Sequence, residues 1–524
     1  MTSGARPEVE QRPKVESRIR GFLARWHLPL VLVLALLVRL PGLASRPLWY
    51  DEAFAVLFSA EGPAAMLRGT LEVEGGMAAD VHPIFYYTLL WGWQNLVGNS
   101  PAAVRALSLI LGIATIACGY GLGRSLFGRR TAAAAALLLA LSPFQVHYSQ
   151  ETRMYALLAL ALTAATWVFL RALRSGHARD YAAFGVLAAC AMYAHNLAFT
   201  YLVPLSLMPV LQRRWREALR TLAAALAALL LYLPWLIQVP MQLARVRAAY
   251  WVEPPGAAAL VRTLLVYVSG LPVEEWALPI VLACAILVTV IGMWALVRNA
   301  GSPRGDRVSA SWMLYLATAP VGVMFLVSLF QPVYLERALL PSGAMFLLWL
   351  GWALSGAGLG RIFRLTGVGA LLLAFALGLA SFYSYQGFPY APFDELTAYL
   401  RAHRGTSEVI LHSNKISAIP AVYYDPGLDQ EYLADPPNSG SDTLARATQE
   451  VLGLLAEPDA AGAVGEAEGV WFIIFPREIE DYLTLGFSEH PALAWLEARY
   501  SVERIEEFGE LRAYHFIRPE RVQE

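Results

Sequence analysis

Apolar stretches recur along most of this chain, near residues 28–43, 102–123, 131–148, 153–172, 181–196, 197–211, 218–238, 276–297, 311–330, 338–356 and 366–384. A helix of about 20 residues covers the roughly 30 Å of hydrocarbon in a bilayer. Inside that layer every backbone polar group must be satisfied within its own segment, so eleven such stretches predict a polytopic helical membrane protein. Composition agrees: 57% of the 524 residues are hydrophobic and only 15% charged, against about 25% charged in soluble domains.

Charge sets the topology. The short loops at 123–130 (GRSLFGRR), 171–179 (RALRSGHAR), 212–220 (QRRWREALR), 298–307 (RNAGSPRGDR) and 360–364 (GRIFR) are basic, and basic loops stay in the cytoplasm. All five share a side only if 82–98 (HPIFYYTLLWGWQNLVG) is interfacial or re-entrant instead of crossing. This reading gives about 11 transmembrane helices within 26–384 and a cytoplasmic N-terminal tail, 1–25. The polar leader is longer than a signal peptide's basic leader, so the first span is read as uncleaved although Gly42-Leu43-Ala44 resembles a cleavage site. The three cysteines, Cys118, Cys190 and Cys284, lie in apolar stretches and read as small buried hydrophobes.

Residues 385–524 hold 24 acidic and 10 basic side chains, and the preceding 384 hold 17 and 30. From about Ala391 the pattern becomes that of a small soluble α/β domain (391–524): a helix at 393–404, a strand at 408–413, a helix at 441–456, a strand at 469–475, a helix near 490–499 and strands near 500–507 and 511–517. The topology places this domain outside the cytoplasm. It carries no glycine-rich phosphate loop and no nucleophile elbow, and reads as a structural or acceptor-docking module. The near balance of total charge argues against nucleic-acid binding.

The outer ends of the spans collect polar groups whose burial is costly unless solvated or paired. Asp51 and Glu52 follow the first span in WYDEA; the plain reading is a solvated helix end, the chemical one a carboxylate that takes a proton from an acceptor hydroxyl. His82 lies in the turn Asp80-Val81-His82-Pro83, with Pro83 suited to open a helix, and could orient a phosphate or a carboxylate. Glu151, Arg153 and Tyr155 stand at the mouth of two spans in SPFQVHYSQETRMYALLAL, and His195 comes out on the same side with the 239–275 loop. Arg337, in QPVYLERALLP, offers a planar fork suited to phosphate oxygens; its alternative is a partner for Glu336. Arg39, within the outer part of the first span, has the same two readings.

The order of these segments, namely WYDEA, HP with aromatics, the R-A-L-S-L span, GRSLFGRR, SPF-x-x-x-YSQETRMYAL, YAHN and a late YLERALLP, resembles the GT-C membrane glycosyltransferases of the protein mannosyltransferase and lipid A aminoarabinose transferase type, over roughly residues 20–350. The resemblance implies a GT-C fold with Asp51 as catalytic base and Glu52 and Glu151 as further acids. It also implies donor or acceptor contacts at His82, Arg153 and Tyr155, and Arg337 on the carrier phosphate. Some relatives bind a divalent cation near these acids, which would place it at Asp51 and Glu151. The central lumenal repeat domain of protein mannosyltransferases has no counterpart here beyond the short 239–275 loop, and the C-terminal domain is closer to prokaryotic members.

The implied activity is inverting transfer of a hexosyl or pentosyl unit from a polyprenyl-phosphate carrier to a lipid, glycan or protein acceptor in the cell envelope, by a multi-pass plasma-membrane enzyme with its site outside the cytoplasm. A transporter or flippase of lipid-linked sugars is the rival class; it would favour two similar halves and charges near the bilayer midplane. A non-catalytic scaffold whose outer domain binds glycan is the third.

Overall fold

The computed structural model describes residues 26–72, 82–248, 252, 254–300, 305–435 and 443–519. The 1–25 tail and Asp80-Val81 lie outside the described residues. The helical part runs through α1 (Trp26–Val38), α2 (Tyr50–Ala60), α3 (Gly62–Leu71), α4 (Phe85–Val97), α5 (Pro101–Phe127), α6 (Arg129–Leu141), α7 (Pro143–Ser149), α8 (Tyr155–Ser175) and α9 (Ala178–Ala194). It continues through α10 (Phe199–Leu211), α11 (Trp215–Leu236), α12 (Val239–Ala248), α13 (Ala257–Ser269), α14 (Leu278–Arg298), α15 (Gly305–Ser328), α16 (Leu340–Ser355) and α17 (Arg361–Ser384). Among the described residues, seven helices are long and apolar enough to cross a membrane, and the bent pair α6–α7 makes an eighth. The remaining apolar stretches of the sequence form shorter helices. The 239–275 segment, expected as a loop, is mostly the helices α12 and α13.

The five basic loops gather at one end of the bundle. Arg174 donates to the Ser125 carbonyl at 3.0 Å, Arg214 to Leu173 at 2.6 Å and Arg220 to Gly176 at 3.1 Å. Asn299 donates to the Ala357 carbonyl at 3.1 Å, beside the contact of Ser355 with Thr131. The segment 82–98 stays at the opposite end. At its start the His82 ring meets that of His195 edge-on, with ring centroids 5.1 Å apart, and just past its end the Asn99 carbonyl accepts from Tyr423 of the C-terminal part at 2.5 Å. Its 13-residue helix α4 is only about 20 Å long, short of a crossing.

Helix α16 is the buried centre, packed by α6, α8, α14 and α15. Close approach there needs small residues: a Cβ on Gly292 of α14 would fall 2.4 Å from the Trp349 ring, the kind of contact that lets membrane helices pack. The 60° bend between α6 and α7 follows from Pro143, which has no N–H for the Leu139 carbonyl. Arg39, fully buried, supplies donors instead, reaching the carbonyls of Ala140 at 2.8 Å and Leu139 at 3.4 Å as well as Ala35 at 3.1 Å.

The C-terminal part is a six-stranded sheet of order β3-β2-β1-β4-β6-β5. In chain order its elements are α18 (Phe393–His403), β1 (Glu408–His412), α19 (Lys415–Tyr424), β2 (Glu431–Leu433), α20 (Arg446–Leu452), β3 (Ala456–Glu457), α21 (Ala460–Val464), β4 (Gly469–Ile474), α22 (Pro476–Thr484), α23 (Pro491–Glu497), β5 (Ser501–Phe508) and β6 (Leu511–Ile517). Strands β3, β2, β1 and β4 are parallel, and β5–β6 is an antiparallel hairpin beside β4. β4 is buried along its whole length and alternates between two cores: Val470, Phe472 and Ile474 on one face, Trp471 and Ile473 on the other. The helix expected over 441–456 is shorter, because the chain turns at Gly453 in left-handed conformation to start β3.

The sheet part docks through α19 on α2 and α20 on α3. The Tyr424 hydroxyl accepts from the Leu48 amide at 2.9 Å, and Thr448 donates to the Gly69 carbonyl at 2.7 Å. Ile419, Leu444 and Val451 belong to the same buried cluster as the bundle helices.

Candidate active site

At the bundle end opposite the basic loops, four breaks in helical structure put charges together: the start of α2, the link between α7 and α8, the end of α9, and the 3₁₀ turn Glu336–Leu339 before α16. Asp51 sits in the first turn of α2. Its Oδ2 lies 3.1 Å from Arg337 Nη1 and 3.9 Å from Arg153 Nε. Arg153 also donates to the Asp51 carbonyl at 3.3 Å and to the Tyr87 hydroxyl at 3.1 Å, and Arg337 stacks over the Tyr155 ring at 5.2 Å. Glu336 takes Arg262 as its partner at 3.1 Å, which leaves Arg337 to Asp51.

Glu151 borders this pair from the α7–α8 link. It is 5% exposed, its Oε2 lies 3.5 Å from His147 Nε2, and its Oε1 has no hydrogen-bond partner among the described residues. Burial pushes its pKa up to about 8; Arg337 opposes that shift, and Glu52 and Asp51 add to it. Desolvation disfavours the charged carboxylate, so Glu151 holds its proton at neutral pH. The Tyr155 hydroxyl, also buried, likewise lacks a hydrogen-bond partner. His195 continues the cluster, its ring 5.7 Å from Tyr155 and 5.1 Å from His82. The His195 Nδ1 accepts from the Leu197 amide at 3.0 Å, so in the neutral ring the proton is on Nε2.

Two residues expected at the site are placed as its supports. Glu52, 1% exposed, is gripped bidentately by Arg105, at 2.8 Å from Nε and 2.6 Å from Nη2, and its Oε1 also accepts from the Thr152 amide at 3.0 Å. Its oxygens are thereby spent on tying α2 to α5 and to the α7–α8 link. Arg39 is spent on the bend between α6 and α7, and its own carbonyl accepts from Gln150 at 2.6 Å. Both hold Glu151 and Arg153 in place through the backbone on either side of them. Arg105 was not singled out from the sequence, although an arginine inside an apolar stretch is a functional signal in itself. Tyr87 and His147 were also missed; nothing in their spacing distinguishes them from interface aromatics.

Among the described residues no group of three or more His, Cys, Asp or Glu side chains is placed to hold a metal ion, and Asp51 Oδ2 already faces two guanidinium groups.

A family model described as dolichyl-phosphate-mannose-protein mannosyltransferase matches residues 81–238, the stretch that carries His82, Glu151, Arg153, Tyr155 and His195. The crystal structure of ArnT from Cupriavidus metallidurans in the apo state superposes with a TM-score of 0.61 at 12% identity, over 95% of this chain and 98% of that one. The chain shares the fold of that protein. ArnT bound to undecaprenyl phosphate gives a TM-score of 0.58 at 13% identity, over 93% of this chain and 97% of that one. The Archaeoglobus fulgidus oligosaccharyltransferase tethered to an acceptor peptide gives 0.52 at 12% identity, over 95% and 75%. At these identities the likeness is one of fold. Comparison with curated protein sequences finds no match. The resemblance seen in the order of motifs is thus met by the family model over 81–238 and by a shared fold of apolar helical body and C-terminal sheet domain.

Proposed function

We propose that this protein is a GT-C enzyme that transfers a monosaccharide from a polyprenyl-phosphate carrier to an extracytoplasmic acceptor by a single inverting displacement. The observation that carries the reading is the Asp51 carboxylate held between the guanidinium groups of Arg337 and Arg153, at the end of a membrane bundle. A donor phosphate brings oxygens that compete for the same two forks, and Arg–phosphate pairing is bidentate and charge-assisted. Phosphate binding thus relieves Asp51 of its partners and leaves a carboxylate beside the anomeric carbon. The acceptor oxygen attacks that carbon as its hydroxyl proton passes to Asp51, the bond from carbon to phosphate oxygen breaks, and the carrier phosphate leaves onto Arg337 and Arg153.

Glu151, protonated, donates to a sugar or phosphate oxygen. His82, His195 and Tyr155 line the sugar's place, and the aromatic face of α4 borders the lipid entrance. The binding of undecaprenyl phosphate by ArnT supports a polyprenyl carrier. Clustering of the basic loops at the other end supports a plasma-membrane orientation with the site and the 391–524 domain outside and the tail 1–25 in the cytoplasm.

The test uses purified protein in lipid vesicles with undecaprenyl-phosphate-linked hexoses and pentoses and a membrane-lipid or glycan acceptor fraction. Release of undecaprenyl phosphate, with a product of opposite anomeric configuration, is expected. Movement of intact donor across the bilayer without release, or a product of retained configuration, contradicts the reading.

A further inference from the structure

The C-terminal sheet has a cleft of its own. Its volume is about 280 Å³, and its lining includes Ser413, Asp459, Tyr482, His490 and Trp495. Ser413 directly follows β1 and Asp459 follows β3, so the cleft lies at the carboxyl ends of the parallel strands. From β1 the chain runs outward to β2 and β3, then returns across to β4 on the other side. Such a reversal of strand order opens a crevice that open α/β sheets use for ligands.

Behind the lining residues Ser413 and His490 stands Glu478. Ser413 donates to Glu478 Oε2 at 2.7 Å. Glu478 Oε1 and His490 Nε2 approach to 3.5 Å, yet neither has a hydrogen-bond partner among the described residues, though both are buried. The His490 Nδ1 accepts from the Leu493 amide at 3.5 Å, so in the neutral ring Nε2 carries the hydrogen. Glu478 Oε1 and His490 Nε2 are closed off from the cleft, whose lining offers the Ser413 hydroxyl and the Asp459 carboxylate, both able to accept from a ligand hydroxyl. The Asp459 carboxylate on the lining, with Glu478 behind it, opposes an anion. Tyr482 and Trp495 add flat apolar faces, the mixture typical of a pocket for a small polar ring. A hydrolase reading fails because Ser413 bonds to Glu478 and not to an imidazole base.

The cleft is close to the membrane site. Two residues beyond Ser413, at most about 7 Å along the chain, Lys415 places its ammonium 5.9 Å from the ring of Tyr50, the neighbour of Asp51.

We infer that this cleft binds an uncharged saccharide unit, and that it thereby holds a glycan-bearing acceptor beside the bundle. The acceptor role rests on the transferase reading, whereas the binding does not. Saturation-transfer NMR on the full chain in lipid nanodiscs tests it, with the methyl glycosides of mannose, galactose, glucose and N-acetylglucosamine as probes and glucose 6-phosphate as the anionic comparison. At least one neutral glycoside is expected to give signal, the phosphate none. The signal is expected to be lost in Trp495→Ala and weakened in Ser413→Ala, which leaves the fold's aromatic packing intact, and to persist in Asp51→Asn. No signal from any neutral glycoside, or equal signal in both cleft variants, overturns the inference. Because Asp51→Asn reports on transfer and the cleft variants on binding, the failure of one reading is distinguishable from that of the other.

Discussion

Arg337 is the residue whose geometry asks most of its side chain, since one guanidinium faces both Asp51 at 3.1 Å and the ring of Tyr155. Arg337→Lys keeps the charge but loses the fork and the stacking plane. We expect it to raise KM for the donor and to lower kcat/KM by about 10- to 100-fold, the worth of one charge-assisted contact, read in steady-state transfer assays. Glu151 carries a pH signature. Its pKa lies near 8 in the folded protein against an ordinary 4.5, so between these values the folded state keeps a proton that the unfolded state has released. Its contribution is fully present below 4.5 and is lost as pH rises through 8. Thermal unfolding in nanodiscs across pH 5 to 9 should show that decline, and Glu151→Gln should flatten it. That Asp51, Arg153 and Arg337 come together was legible in the sequence because ionisable side chains at the edges of apolar stretches are costly unless paired. The pairing of Glu52 was not legible: its partner, Arg105, is 53 residues away, and a one-dimensional pattern does not say which neighbouring carboxylate turns inward.

Elements carry the site through two buried arginines. The Glu52–Arg105 pair joins α2 to α5, and Arg105 also holds the carbonyls of Leu43, Arg46 and Pro47. Removing one charge of a buried pair leaves the other uncompensated, at about 3–5 kcal/mol. Glu52→Gln should therefore lower the unfolding temperature sharply, while the fraction that remains folded still binds donor; unchanged stability with lost turnover would restore Glu52 to the chemistry. Arg39 serves the carbonyls that Pro143 leaves bare. Arg39→Met should cost about 1–3 kcal/mol for each buried carbonyl it abandons, measured by thermal unfolding, and should loosen the link that carries Glu151. The strands β1, β4, β5 and β6 were legible from residue alternation and length. Strand β2, three residues long, and α19, whose Pro420 interrupts its pattern, carry too little periodicity to be read; β2 is held by pairing with β1 and β3, and α19 by packing between the sheet and α2.

At the scale of the whole molecule, opposite ends of one bundle do different work. Arginine-rich loops are knitted to one another at one end, and a compensated cluster of carboxylates and guanidinium groups occupies the other, with the sheet domain docked beside it. That the basic loops share one end was legible because they constrain every crossing at once, and α4 has only 13 residues. The cleft was not legible, since Ser413, Glu478 and His490 meet only after the chain has crossed the sheet. The central claim is that Asp51 takes the acceptor's proton once the carrier phosphate has drawn off its arginines. Its most direct test is single-turnover transfer from an undecaprenyl-phosphate-linked sugar by wild type and Asp51→Asn in matched vesicles, with donor binding measured alongside. The account expects Asp51→Asn to bind donor and to transfer about 100- to 10,000-fold more slowly, the usual worth of a positioned general base; transfer at the wild-type rate would contradict it.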